Sequence, residues 1–302
     1  MALTNDTNEM ADTNGTNEMA ETNENLVEIP PSIYFGNTGC GAAFTIGVIH
    51  AMKKYWGDDF QQKTLLCGDN TGAILAMQLA MGQSSHHIEM VARSIFRRMR
   101  LDSRIFSGQN FWLNQYIDHV MSTKTELYKE FNEKGVSKYQ CGTTSLSLGT
   151  TFMGFSHQWH KTWIDNTELG NCLKGSTNIP LFCDFFSELV EGRVVLDGSC
   201  SFSGKDLPHG NDTLFVGMNV EEAGDISYEM SYYRICVPGD QTEFNFLFKE
   251  GVKAFEKWTI IPTKRKKKVL KMQPNYTMVI LCWMGKYIQF FYEYVVREIL
   301  NE

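Results

Sequence analysis

The feature that most constrains the fold is a strand, a glycine-rich turn and a helix, arranged twice in succession. The first copy reads SIYF, GNTGCG and AAFTIGVIHAMKKYW, and the second reads TLLC, GDNTG and AILAMQLAMG. In each copy a short apolar run precedes a stretch whose apolar residues recur at helical spacing. Tandem units of this kind favour parallel strands with helices packed on them. The sequence therefore predicts an α/β fold with a mostly parallel central sheet.

The chain divides into three segments. Residues 1–28 carry a repeat, TNDTNEMAD followed by TNGTNEMAE, with almost no large apolar residues, and are predicted to be a disordered acidic leader. Residues 29–258 form the predicted domain. Within it, residues 86–134 are predicted to be largely helical, and later strands are predicted at YQCGTTSL, TTFMGF, GRVVLDG, TLFVGMN and YYRICV. Residues 259–302 are predicted to be a basic run followed by a hydrophobic or amphipathic helix.

The charge distribution argues against a protein that binds nucleic acid. The net charge is -7, and residues 1–28 hold seven acids and no Lys or Arg, so the rest of the chain is balanced and has no broad basic face. A smaller basic cluster lies on the predicted helices, at Arg93, Arg97, Arg98, Arg100 and Arg104. It is either a solvated helix face or a patch that faces lipid headgroups.

The C-terminal segment offers a possible membrane contact. The run KRKKK at 264–268 precedes a hydrophobic stretch at 276–296, which Lys286, Gln289 and Glu293 interrupt. Three readings are open: a helix lying on a membrane surface, a helix packed on the domain, or a membrane span, which the charges disfavour. The expected location is cytoplasmic, with peripheral attachment to a membrane or lipid droplet through residues 264–302.

Cysteine usage fits a reducing compartment. The eight cysteines are scattered singly, with no C-x-x-C pair, and no secretory signal pattern precedes the domain. No metal-binding or nucleotide-binding motif is present, so no cofactor and no metal are expected.

The second glycine turn has the form of a nucleophile elbow with an altered centre. In many lipid hydrolases a G-x-S-x-G turn between a strand and a helix carries the nucleophilic serine. Here Gly68 and Gly72 are the flanking glycines, which let the turn close, and Asn70 occupies the centre. Asp69 is interpreted as a solvated turn residue.

Three further motifs stand around the elbow in a recognisable order. The glycine loop GNTGCG precedes it, and GSTNIP at 175–180 and Asp197-Gly198 follow it. Over residues 32–258 this series resembles the patatin-like phospholipase family, in particular the eukaryotic branch that includes adipose triglyceride lipase. The resemblance implies a three-layer α/β/α fold and a serine and aspartate dyad, with Asn70 at the serine position and Asp197 as the aspartate.

The resemblance also implies an oxyanion loop that has changed in this chain. That loop falls on Asn37, Thr38, Gly39, Cys40 and Gly41. When Ile46-Gly47-Val48 is aligned without gaps, the family's glycine triplet falls on 37–39, so two side chains enter the space that a substrate carbonyl needs. The oxyanion loop is therefore expected to be degraded.

Asn70 is expected to abolish the chemistry of the dyad. An amide nitrogen is a very poor nucleophile because its lone pair is delocalised, whereas asparagine tolerates strained turns. Thr71 should point away from Asp197, and Cys40 and Cys67 are expected to be ordinary buried thiols.

Three functions remain open. The first is a catalytically inactive patatin-like protein that binds lipid, a membrane or lipid-droplet surface, or a protein partner. The second is an active phospholipase or triacylglycerol lipase with an unconventional nucleophile. The third is an unrelated α/β binding protein, in which Asn70 and Asp197 would not lie side by side.

Overall fold

The structure is a computed structural model that describes residues 27–102, 109–132, 139–148, 153–178, 189–190, 193–219, 225–231 and 237–260, together with Val295. Most of the predicted leader, Arg104, nearly all of the predicted strand YYRICV, the basic run 264–268 and nearly all of the stretch 276–296 lie outside the described residues. The predictions made for those segments therefore remain predictions.

The described residues form eight strands and seven α-helices. The strands are β1 (Ser32–Phe35), β2 (Leu65–Gly68), β3 (Tyr139–Leu148), β4 (Met153–His160), β5 (Leu189–Val190), β6 (Arg193–Asp197), β7 (Thr213–Asn219) and β8 (Ile226–Glu229). The helices are α1 (Ala42–Trp56), α2 (Thr71–Ala80), α3 (Ser85–Leu101), α4 (Gln109–Thr123), α5 (Leu127–Asn132), α6 (Asn166–Thr177) and α7 (Gln241–Ile260). Short 3₁₀ turns include Gly39–Gly41 and Gly198–Cys200.

The strands form one sheet in the order β5-β6-β3-β2-β1-β7-β8, and β4 pairs with β3. The pairs β1–β2, β1–β7, β2–β3 and β7–β8 are parallel, whereas β3–β4, β3–β6 and β5–β6 are antiparallel. The predicted α/β class, with a mostly parallel central sheet flanked by helices, is confirmed.

Strand β3 brings two distant turns together. One edge of β3 pairs with β4, so β2 and β6 must share its other edge. Gly68, the last residue of β2, pairs with Cys141, while Asp197, the last residue of β6, pairs with Thr143. The two strands approach from opposite directions and end two positions apart along β3. The turns that follow β2 and β6 therefore lie next to each other.

The two faces of the sheet have different cores. On β1, Ile33 and Phe35 face a large apolar cluster that includes α1 and α2, whereas Tyr34 faces a small aromatic cluster. This alternation is the period of two that a strand imposes. The small cluster contains Tyr34, Cys67, Phe202, Leu207 and Phe215, with Trp159 packed against it. Two of its members come from the segment after β6, which thereby covers that face beside the candidate site.

Most predicted elements are present, with two kinds of difference. The strand predicted at residues 150–155 is present as Met153–His160 within the described residues, and it ends five residues later than predicted because its antiparallel pairing with β3 continues to Cys141. Helices α6 and α7 and strands β5 and β8 were not predicted.

Candidate functional site

Asn70 lies on a strained turn between β2 and α2. Its backbone has φ 51° and ψ -136°, a region that non-glycine residues seldom adopt. A Cβ atom on Gly72 would lie 2.6 Å from the carbonyl oxygen of Gly36 and closer still to that of Phe35, and one on Gly68 would lie 2.6 Å from the backbone of Gly72. Gly72 is therefore required by the close approach of the turn to β1, and Gly68 by the close approach of the end of β2 to the start of α2.

The Asn70 side chain makes hydrogen bonds through both of its polar atoms. Its Nδ2 donates to Asp197 Oδ2, and its Oδ1 accepts from the backbone N–H and the hydroxyl of Thr71, at 2.6 and 2.7 Å. Asn70 is 6% exposed and Asp197 is fully buried. The amide therefore donates a hydrogen bond to Asp197 and at the same time caps the N-terminus of helix α2. A serine at this position could not make both of these interactions completely.

Asp197 has a second set of partners at the turn that follows β6. Its Oδ1 accepts from the backbone N–H of Ser199 at 2.8 Å and from the Ser199 hydroxyl at 2.7 Å. Burial raises the pKa of Asp197 to about 6, although these hydrogen bonds and the one from Asn70 favour the charged form. Ser199 was not singled out from the sequence, and it places a hydroxyl against the aspartate.

The interpretation of Asp69 as a solvated turn residue was wrong. Asp69 is fully buried, and its Oδ2 accepts a hydrogen bond from the hydroxyl of Tyr34 at 2.7 Å. Its Oδ1 is buried without a hydrogen-bond partner. Burial, and then the negative charge of Asp197, raise the pKa of Asp69 well above its usual range. The site thus contains two buried carboxyl groups, and the negative charge of Asp197 disfavours ionisation of Asp69.

The glycine loop lies against the turn after β6 through the side chain of Asn37. Asn37 Oδ1 accepts from the backbone N–H of Gly39 at 3.1 Å, and Asn37 Nδ2 donates to Ser199 Oγ at 3.2 Å. The side chain thus spans the gap between the two turns. The Thr38 side chain is fully buried, and its hydroxyl has no hydrogen-bond partner. A Cβ on Gly41 would clash with Met218, and Cys40 is half-buried.

The GSTNIP motif lies directly beneath the elbow as far as the structure describes it. Ser176, near the end of α6, accepts the backbone N–H of Asn70 at 3.0 Å and donates to the carbonyl of Gly142 at 2.6 Å. The carbonyl of Asn178 accepts the backbone N–H of Asp197 at 3.0 Å. The four motifs found in the sequence therefore meet at one place.

This arrangement holds no group at residue 70 that can attack an ester. The hydroxyl of Thr71 donates to Asn70 rather than to Asp197. Cys67 is buried, its thiol donates to the carbonyl of Ile33 at 3.4 Å, and burial raises its pKa, so the thiol stays protonated. Ser199 is the remaining hydroxyl that is hydrogen-bonded to Asp197 among these candidates.

No group of three or more His, Cys, Asp or Glu side chains in the described part of the chain is placed to hold a metal ion. None of the helices within the described ranges is long and apolar enough to cross a membrane.

Comparison with known proteins gives similarity in structure alone. No protein-family model and no curated protein matches the chain. Among solved structures, it is similar to the type III effector protein ExoU, with a TM-score of 0.40 and 9% identity, over 90% of this chain and 63% of that one. It is also similar to the heterodimeric complex ExoU-SpcU from Pseudomonas aeruginosa, with a TM-score of 0.34 and 10% identity, over 90% of this chain and 60% of that one. The chain thus spans about three fifths of those structures, and scores this low say nothing about its chemistry or partners.

Proposed function

We propose that this chain is a patatin-like domain that no longer hydrolyses acyl esters and acts instead by binding lipid, a membrane or lipid-droplet surface, or a protein partner. The observation that carries the proposal is the hydrogen bond from Asn70 Nδ2 to Asp197 Oδ2, at the turn between β2 and α2. A dyad needs a hydroxyl there, so that the aspartate can take its proton as the oxygen attacks. The turn has the form of a nucleophile elbow, whereas the attacking atom is missing.

The neighbouring loop supports the same proposal. In a hydrolase of this kind, backbone N–H groups of the glycine loop would stabilise the negative charge on the substrate carbonyl oxygen. Here the N–H of Gly39 donates to the side chain of Asn37. A substrate oxygen would have to displace that side chain, so the loop is a second obstacle to hydrolysis.

A second candidate function rests on Ser199. Its hydroxyl donates to Asp197 Oδ1 at 2.7 Å, so a serine and an aspartate do form a pair at this site. In an active enzyme, Ser199 Oγ would attack an ester carbonyl while its proton passed to Asp197. The same contact is also a local cap of the 3₁₀ turn Gly198–Cys200, because the backbone N–H of Ser199 donates to the same oxygen. We therefore favour the non-hydrolytic function.

Hydrolysis of a short-chain nitrophenyl ester and of a phospholipid by purified full-length protein distinguishes the two functions. We expect no turnover by wild type above the buffer rate. Turnover that is lost in both Ser199→Ala and Asp197→Ala would establish the second candidate. Turnover that appears only in Asn70→Ser would support the first, since loss of a nucleophile costs several orders of magnitude in rate.

A further inference from the structure

We infer that the exposed end of helix α3 is a contact surface for an anionic lipid membrane. This inference rests on the proposed function, and it names the part of the domain that meets the lipid. We call the surface the α3 corner and define it as Arg97, Arg98, Arg100, Leu101 and, at the start of α4, Phe111.

The arginines of the basic cluster have different surroundings in the structure. Arg93 belongs to the fold: its guanidinium donates to Glu89 and to Asn245 and lies 4.0 Å from the ring centre of Phe244. Arg97, Arg98 and Arg100 are exposed, and within the described residues none of them forms an ion pair. Three exposed positive charges can therefore meet an external anionic partner.

Large apolar side chains stand beside these charges. Leu101, the last residue of α3, is 77% exposed, and Phe111 is 39% exposed. The two helix ends lie together because the indole N–H of Trp112 donates to Asp102 at 3.1 Å and the Arg98 guanidinium lies 5.1 Å from the Trp112 ring centre. Guanidinium groups around exposed apolar residues suit the boundary between headgroups and acyl chains.

The α3 corner lies beside the candidate site. Phe96, the residue before Arg97, lines a small pocket together with Cys40 of the glycine loop and with Phe244 and Leu247 of α7. Contact between the corner and a bilayer would therefore hold the glycine loop close to the membrane surface.

A membrane fits these features better than nucleic acid or an acidic protein does. The corner has only three exposed arginines, whereas nucleic-acid binding calls for a long basic stripe. Insertion of the exposed leucine and phenylalanine into the boundary between headgroups and acyl chains would bury their apolar surface and stabilise the complex, whereas contact with a polyanion would bury little of it.

The test is co-sedimentation of the full chain with vesicles of phosphatidylcholine alone or with phosphatidylglycerol added. We expect wild type to bind the anionic vesicles preferentially, and less as salt is raised. Each cation near such a surface contributes roughly fivefold in affinity, so Arg97→Gln/Arg98→Gln/Arg100→Gln should weaken binding by on the order of 100-fold. Leu101→Ser should weaken it by roughly tenfold.

A matched control removes three charges from the opposite end of the domain. Lys54 and Lys257 lie at the ends of α1 and α7 and Lys63 just before β2, and all three are exposed. The variant Lys54→Gln/Lys63→Gln/Lys257→Gln should bind vesicles within about twofold of wild type, since its charges lie far from the corner.

Three results would overturn the inference. They are absence of binding by wild type, equal losses in the corner and control variants, or arginine-dependent binding to heparin without binding to vesicles. Unchanged binding in the corner variant would overturn it as well, because the membrane contact would then lie elsewhere, for example in 264–302. None of these results bears on whether Asn70 has abolished hydrolysis, which the ester assay measures separately.

Discussion

If Asn70 is the first obstacle to hydrolysis and Asn37 the second, restoring the serine alone should yield only a weak enzyme. The perturbation is Asn37→Gly placed in the Asn70→Ser background. In the wild-type structure the N–H of Gly39 donates to Asn37 Oδ1 at 3.1 Å, and Asn37 Nδ2 donates to Ser199 Oγ at 3.2 Å. Removal of the Asn37 side chain frees one backbone donor and the space between the loop and the turn after β6.

The size of the effect follows from the number of donors released. One donor to the oxyanion is worth about 10²- to 10³-fold in turnover. We therefore expect Asn70→Ser/Asn37→Gly to hydrolyse a nitrophenyl butyrate about 10²- to 10³-fold faster than Asn70→Ser. Asn37→Gly alone should remain inactive, because it restores no nucleophile.

The assay is initial-rate hydrolysis at pH 7.5, with thermal melting of each variant to confirm folding. Asn211 is an exposed residue in a turn outside the site. The variant Asn70→Ser/Asn211→Gly therefore controls for a general increase in backbone flexibility caused by a new glycine. Equal rates in Asn70→Ser and in the double variant with Asn37→Gly would refute the role of Asn37. A comparable gain in the Asn211 control would refute it as well.

Three predictions concern stability, each read from denaturant unfolding. Gly72→Ala should destabilise the domain by about 3 kcal/mol, because its Cβ would press on the backbone of Phe35; no loss of stability would contradict the tight elbow. Asp69→Asn should raise the free energy of unfolding at pH 8 but not at acid pH, because burial raises the pKa of Asp69 and so disfavours its charged form in the folded chain. A lower free energy of unfolding at pH 8 would contradict this and would show that the hydrogen bond from Tyr34 requires the charged carboxylate. Burial lowers the pKa of His157 to about 4, so this histidine takes up a proton in the unfolded chain at a higher pH than in the folded chain. Between pH 7 and pH 4 the free energy of unfolding of wild type should therefore fall by about 3 kcal/mol relative to that of His157→Phe. Parallel pH profiles of the two proteins would contradict this.

The sequence predicted the parts of the fold that local patterns encode. The tandem strand, turn and helix units are β1 with α1 and β2 with α2, because hydrophobic spacing and glycine turns are read within a few residues. Helix α6 was missed although Leu169, Cys172 and Leu173 are buried at helical spacing. The many polar and small residues of α6 made this short apolar pattern difficult to recognise.

The contacts that define the site are the ones that the sequence could not give. Asp69 looked like a turn residue because its partner, the Tyr34 hydroxyl, comes from a strand 35 positions away. The bond between Asn37 and Ser199 joins positions 162 apart, and the pairing of β2 and β6 along one edge of β3 alone brings their turns together. The family resemblance gave the order of the motifs, whereas the tertiary structure gave the partners of each side chain.

The central claim is that the elbow presents an amide where a hydrolase has its nucleophile, and labelling with a fluorophosphonate tests it most directly. The probe adds covalently to a reactive serine, so intact mass spectrometry reports each modified protein. We predict no mass increase for the wild-type full chain and a single addition at position 70 in Asn70→Ser/Asn37→Gly. A stoichiometric addition to wild type that maps to Ser199 and disappears in Asp197→Ala would contradict the account, because it would show an active dyad built from a different residue.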